Sequence, residues 1–322
     1  MTSPAMEVLD GGPQTTVQDL GRFGYLRYGI PPSGPMDRWA FVLANRLVGN
    51  PDGAAVLECT LIGPRFQARE NTVIAVTGAE MPVTVNGREA PGWTAIEIKP
   101  GDTVKLGQAR SGVRAYLAAA GGIDVPAVLG SHSTYVRGKL GGYEGRALKK
   151  GDLLTTLPPA ATLDRLEGRR VKPEAIPDYG GEPDIRVILG PQADRFTAEG
   201  IEALLTGPYR MTSHSDRMGA RLTGPLITHT RGHDIISDGI ALGGIQVVGE
   251  GQPIVLLVDR QSAGGYTKIA TVCSFDVDRL IQVKPGQRLR FSEIAVAEAH
   301  AVLREERERL AGVIDDRPAA GR

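Results

Sequence analysis

The chain has 322 residues, 37 basic and 37 acidic side chains, and no net formal charge. That length exceeds one ordinary domain and predicts two, while the balanced charge supplies no field to hold a nucleic-acid backbone or an anionic membrane surface. Glycine (42) and proline (22) punctuate short apolar runs, the pattern of a turn-rich, mainly β protein.

The opening MTSPAMEVLDGG has neither the basic nor the apolar region of a leader. No apolar run reaches the roughly 18 residues of a membrane span. Cys59 (AAVLECTLI) and Cys273 (IATVCSFDV) sit in apolar surroundings and read as buried strand thiols of a reducing compartment. The expectation is a soluble, cytoplasmic protein. A first helix is predicted after Gly34-Pro35, with Pro35 at its first position, Asp37 near its positive end and Gly49-Asn50-Pro51 as its stop. Trp39, Val42, Leu43 and Leu47 share one face of it. NTVIAVTGA, VTVNGREA, TAIEIKPGDTVKLG and GQPIVLLVD read as short strands separated by Asn-Gly, Pro-Gly and Gly-Gln turns. A second helix is predicted over 193–205 and a third from Ser292 to about Ala311, with Val296, His300, Leu303 and Leu310 as its stripe and REERER as a solvated face. The tail after Asp315 reads as disordered.

The chain repeats itself. VLDGGPQ from Val8 resembles VILGPQ from Val187, PMDRWA from Pro35 resembles HSDRMGA from His214, AVLE ending at Glu58 resembles IISD ending at Asp238, and IEIKPGDTVKL from Ile96 resembles IQVKPGQRLRF from Ile281. The order is kept, as in two copies of one fold that differ in their loops. The segment KPEAIPDYGGEPD (172–184) has no apolar period and divides the halves. The expected organisation is a first barrel over 1–178, a second over 179–295, and a C-terminal helix and tail over 296–322. Closed or nearly closed barrels would remove the many edges that short strands create.

Several catalytic constellations fail on spacing. His229 and His233 are four apart in HTRGH, but Gly232 and the threonines beside them oppose the helix that would aim both at a metal, so no metal site is expected. Ser131, His132 and Ser133 are adjacent and lack a strained G-x-S-x-G elbow. GGYTK (264–268) lacks the upstream glycine of a nucleotide cradle, so this chain is not expected to hydrolyse ATP by itself. No Met-Lys-Met segment is present to carry biotin.

The densest polar and glycine-rich stretch is SDGIALGGIQVVGEGQPIVLLVDRQSAGGY, from Ser237 to Tyr266. Exposed N–H groups of Gly-Gly loops suit a carbonyl or amide oxygen. Substrate contacts are expected from Ser237, Asp238, Gly239, Gly243, Gly244, Gln246, Asp259, Arg260, Gln261, Ser262, Gly264, Gly265 and Tyr266. Arg260 and Gln261 would position polar groups, and Asp259-Arg260 at a strand end is equally readable as a structural ion pair. Asp37 and Asp216, matched by the repeat, are the acid/base candidates, with helix capping as the alternative account of Asp37.

PPSGPMDRWAFVLANRLVGN, AAVLECTLIGP, YLAAAGGIDVPAVLGSHSTY, LGGYEGRALKKGD, ISDGIALGGIQV and DRQSAGGYTKIA, in this order, resemble the biotin-dependent carboxyltransferase subunit family that includes KipA, allophanate hydrolase subunit 2 and the C-type subunit of 5-oxoprolinase. The resemblance covers about residues 5–295. It implies cyclophilin-like β-barrels, a KipI-like partner of the 5-oxoprolinase B type and a larger 5-oxoprolinase component of the A type. The activity it implies is ATP-dependent opening of 5-oxoproline to glutamate, with ATP handled elsewhere in the complex and no cofactor on this chain. The alternatives are carboxyl transfer of the urea carboxylase type, with biotin on a separate carrier, and a non-catalytic KipI antagonist that regulates a sensor kinase. Ser262-Ala263 stands where the family often has Thr-Thr, and Val248 where it often has Pro.

Overall fold

The computed structural model describes residues 4–315; the tail expected to be disordered lies outside them. The chain divides into two compact units that interleave in sequence. The first takes the chain up to Arg22, then Ser33–Asp178, then the segment from Gly312; the second takes Phe23–Pro32 and Tyr179–Ala311. Both are mainly β, with four α-helices among the described residues.

The first unit holds two large sheets and a two-stranded pairing of Arg170–Val171 with Ile314–Asp315. One runs in the order Ile123–Asp124, Leu153–Thr156, Met6–Asp10, Arg65–Ala68, Thr103–Leu106, Val83–Val85, Arg88–Ala90; the other runs Thr15–Gln18, Val56–Thr60, Arg114–Ala119, Thr72–Gly78, Ala95–Ile98. Met6, Phe66, Val104 and Leu106 of the first sheet share one core with Val17, Leu57, Ile74 and Leu117 of the second. Every residue of TVIAVTG (72–78) is buried. Its other face is covered by helix α1 (Arg38–Leu47), and Thr77 donates to the Ala40 carbonyl at 2.7 Å. A strand covered on both faces reads as a continuous apolar run, not an alternating one.

Helix α1 starts later than Pro35 because Asp37 is its N-cap, accepting from the Ala40 N–H at 2.9 Å. The Asp37 N–H donates to the Tyr116 hydroxyl at 2.7 Å, and that hydroxyl donates to Glu58 at 2.8 Å. Trp39, Val42, Leu43 and Leu47 are buried as the period predicts, and Phe41, Ala44 and Asn45 are buried as well.

The second unit is a closed barrel in the order Asp184–Leu189, Lys268–Val272, Gly244–Val247, Pro253–Leu256, Gly219–Thr223, Tyr209–Met211, Arg288–Glu293. Closure comes from a parallel pairing, Ile185 against Phe291 and Val187 against Glu293, and it leaves no free edge in the barrel. Outside the barrel, Asp234–Gly239 and Ala263–Tyr266 form a separate two-stranded antiparallel ribbon.

Helix α2 spans Ala198–Thr206 after a single 3₁₀ turn at Ala193–Arg195; Thr197 caps it by accepting from the Gly200 N–H. Helix α3 (Ser274–Leu280) falls where a strand environment is predicted, so Cys273 ends a strand run and precedes a helix. Helix α4 (Val296–Arg309) packs Ala299, Val302 and Leu303 on Cys273, Phe275 and Ile294, which joins it to the second unit. Val296 and His300 of the predicted stripe are exposed, because Ser292 lies within the strand Arg288–Glu293 and the helix begins only at Val296, burying Ala299 instead. No helix among the described residues is long and apolar enough to cross a membrane.

The repeat is visible in the strands that end in VLD and VIL and in the two KPG turns. Lys99 N–H donates to Asp102 Oδ2 at 2.7 Å and Lys284 N–H to Gln287 Oε1 at 2.9 Å, so both KPG turns are closed by the side chain at the fourth position before a strand. PMDRWA and HSDRMGA differ: the first caps a helix, the second forms a turn into a strand.

Candidate functional site

The ribbon folds over the barrel strand Gly244–Val247. A Cβ on Gly264 would come within 2.7 Å of Gln246 Nε2 and 2.8 Å of Ile240 Cδ1, so the ribbon backbone lies close on that amide and a larger residue would displace these side-chain ends. What approaches the glycine-rich loop is therefore a side chain of the same chain. Gly243 serves another need, with φ of +81° and its N–H donating to the Leu256 carbonyl at 2.8 Å. The Gly244 N–H donates to the Ala241 carbonyl. These two amides are occupied by backbone carbonyls of the same chain, contrary to the expectation that they face a substrate oxygen.

Gln246 is 3 % exposed and its Nε2 has no hydrogen-bond partner. Its ladder partner is Lys268, and side chains of directly paired residues lie on one face. Lys268 is likewise 3 % exposed, and its Nζ has no hydrogen-bond partner; Asp238 Oδ2 lies 3.3 Å away. Asp238 itself stands on the exposed ribbon opposite Gly264. The Gly239 N–H and then the Lys268 ammonium hold its carboxyl below the ordinary carboxylate range. Leaving two polar groups buried without full partners is costly, and it marks this spot within the second unit.

A row of rings borders it. His233 lies 5.9 Å from Tyr266 and 6.2 Å from His229, and His229 stacks 4.5 Å from Phe196. Burial, with the neighbouring His233 second, depresses the His229 imidazole below its ordinary range, and its Nε2 is 3.0 Å from Thr267 Oγ1. Gln192 accepts from the Lys268 N–H at 3.0 Å. The arrangement offers a buried cation, a buried amide donor and a row of aromatic and imidazole rings beside an exposed ribbon.

Of the residues expected from the sequence, Ser237, Asp238, Gly239, Gly264, Gly265 and Tyr266 belong to the ribbon, with Gln246 beneath it. Gln261 is exposed beside it, and the Ser262 carbonyl accepts from the Ile240 N–H. Asp259 and Arg260 are engaged elsewhere. Asp259 is paired with Arg217 at 2.9 Å with both side chains buried, and Arg260 donates to the carbonyls of Ile240 (3.0 Å) and Leu257 (3.1 Å). Arg260 thus braces the turn that leads out of the ribbon, instead of presenting a fork to a ligand. Asp37 caps α1, and Asp216 accepts from the N–H groups of Met218 and Gly219; each carboxylate closes its own local turn. Sequence reasoning does not single out Lys268, Thr267, His229 and His233 as ligand-facing groups. A lysine heading the otherwise apolar run KIATV is the available signal.

Residues 28–293 match the family model "Carboxyltransferase domain, subdomain A and B". The chain belongs to that carboxyltransferase-domain family. It is 37% identical to the C-type subunit of 5-oxoprolinase from Escherichia coli over 91% of this chain and 93% of that protein. It is 38% identical to urea amidolyase of Saccharomyces cerevisiae over 89% of this chain but only 16% of that protein. The crystal structure of Kluyveromyces lactis urea carboxylase superposes with a TM-score of 0.91 at 35% identity, covering 97% of this chain and 29% of that one. The chain thus spans less than a third of these larger relatives.

Proposed function

We propose that this chain is the C-type subunit of a multi-subunit 5-oxoprolinase, which opens the lactam of 5-oxoproline to glutamate with ATP spent on another subunit. The observation that carries the reading is reciprocal coverage. The chain and two proteins named as C-type subunits of 5-oxoprolinase match over nearly their whole lengths, 91% against 93% and 94% against 95%. The site chemistry supports it. Gln246 Nε2 is a buried donor without a partner, and a lactam oxygen is the acceptor it lacks. A KipI-like subunit and a larger A-type subunit would complete the machine.

A second reading, biotin-dependent carboxyl transfer to urea, is favoured by the family description and by the urea amidolyase relatives. In that case the cofactor supplies the difficult chemistry and this chain positions the acceptor. Co-purification with KipI-like and A-type subunits, followed by assay for glutamate from 5-oxoproline and ATP, decides between them. Glutamate formation is the expected result. An assembled complex that leaves 5-oxoproline intact, while a biotin carboxylase and carrier support urea carboxylation, overturns the first reading in favour of the second.

A further inference from the structure

The geometry points to a carboxylate-recognition site beneath the ribbon, in which Lys268 binds the anion, Gln246 Nε2 donates to a second acceptor on the same molecule, and Asp238 is a built-in competitor for Lys268. The ligand class is a small organic carboxylate bearing a nearby carbonyl oxygen. Three features carry the inference. First, Lys268 is buried on a barrel strand yet is matched by no buried acid; its counter-ion is the 56 % exposed side chain of Asp238. A buried cation is ordinarily paired and hydrogen-bonded by groups that are themselves buried, and this one is covered by a mostly exposed carboxylate whose other oxygen accepts from the Gly239 N–H at 2.7 Å. Second, Gln246 sits directly across the ladder from Lys268 with its own donor unfilled, so one molecule could satisfy both. Third, the cover is a two-stranded ribbon outside the closed barrel, with an irregular register between Asp234 and Asp238. Two-stranded ribbons are marginal by themselves, which suits a carboxylate that must yield its place to a substrate.

The inference deepens the functional reading, since 5-oxoproline carries both a carboxylate and a lactam carbonyl, and its choice as a probe rests on that reading. Binding of three probes to the full chain, alone and in the co-purified complex, tests it by calorimetry. 5-Oxoproline and cyclopentanecarboxylate share the anion, whereas 2-pyrrolidinone keeps the lactam without it. The expected result is binding of both acids and none of the neutral lactam over the same range, with Lys268→Met weakening the acids at least about tenfold. Asp238→Asn removes the competitor and should tighten both acids about threefold or more; this exposed position tolerates the change should Lys268→Met fail to fold. Unchanged or weaker acid binding in Asp238→Asn overturns the inference, as does equal binding of 2-pyrrolidinone or absence of acid binding in both chain and complex. The two readings fail separately. Lys268-dependent acid binding in a complex that never turns over 5-oxoproline refutes the activity alone, and full turnover by Lys268→Met refutes the anion site alone.

Discussion

Arg217 Nε and Asp259 Oδ2 meet at 2.9 Å inside the second unit, each side chain only 6% exposed. Breaking a buried pair by removing one partner strands the other charge, at about 3–5 kcal/mol. Arg217→Met and Asp259→Ala should each lower stability by that order in denaturant unfolding, and the double variant should recover part of the loss. Additive losses would show that the two charges do not depend on each other.

Asp37 offers a cleaner separation of structure from chemistry. Its carboxylate accepts from the Ala40 N–H, a task serine performs nearly as well. Asp37→Ser should keep stability within about 0.5 kcal/mol and keep full activity in the assembled complex, while Asp37→Ala should cost about 1 kcal/mol. Loss of turnover in a stable Asp37→Ser protein would restore its candidacy as an acid or base.

Acid should loosen the first unit through Asp19. Burial pushes its carboxyl up, but the hydroxyls of Ser131 and Ser133 and the N–H groups of His132 and Gly21 outweigh that and leave it below the ordinary carboxylate range. A depressed folded-state value contributes stability above the unfolded pKa of about 3.9 and loses it as pH falls through the folded one. Asp19→Asn should therefore be about 2 kcal/mol less stable near neutrality, with the gap to wild type closing only below about pH 4. A gap that is constant from pH 7 to pH 3 would rule out this role.

Neither thiol should behave as a nucleophile. Burial pushes Cys59 up to about 12, and burial together with Asp276 also raises Cys273. Thiolate is the reactive form, so a disulfide-exchange reagent at pH 8 should label neither until the protein unfolds, whereupon both react. Rapid native labelling of Cys273 would show that the α3 end opens.

The architecture is largely legible in the sequence because turns are chemical. Asn-Gly and Lys-Pro-Gly segments announce themselves, and the caps at Asp102 and Gln287 fall where the repeat aligns them. Helix α3 is not legible, since SFDVDRL follows a β-branched run and is too short to display a helical period. The ribbon residues stand out through their glycines, whereas Lys268 enters the sequence reading only in a nucleotide loop that fails on spacing, and His229 and His233 only as a metal pair that fails on helix propensity. Arg260 misleads because a guanidinium beside an acid looks the same in sequence whether it faces a ligand or a carbonyl of its own backbone. Which of the two applies depends on Arg217, 43 positions earlier, having already claimed Asp259.

The interleaving of the units bears on synthesis. Val171 pairs with Ile314 and Arg170 with Asp315, so a ladder of the first unit waits for residues made after the whole second barrel. A ribosome-bound chain paused near residue 300 would hold the later barrel's strands complete while the earlier unit still lacks a partner strand. Folding order along this chain therefore cannot simply follow translation, and the strand Ile314–Asp315, made after the barrel, acts as a clasp on the unit that precedes it.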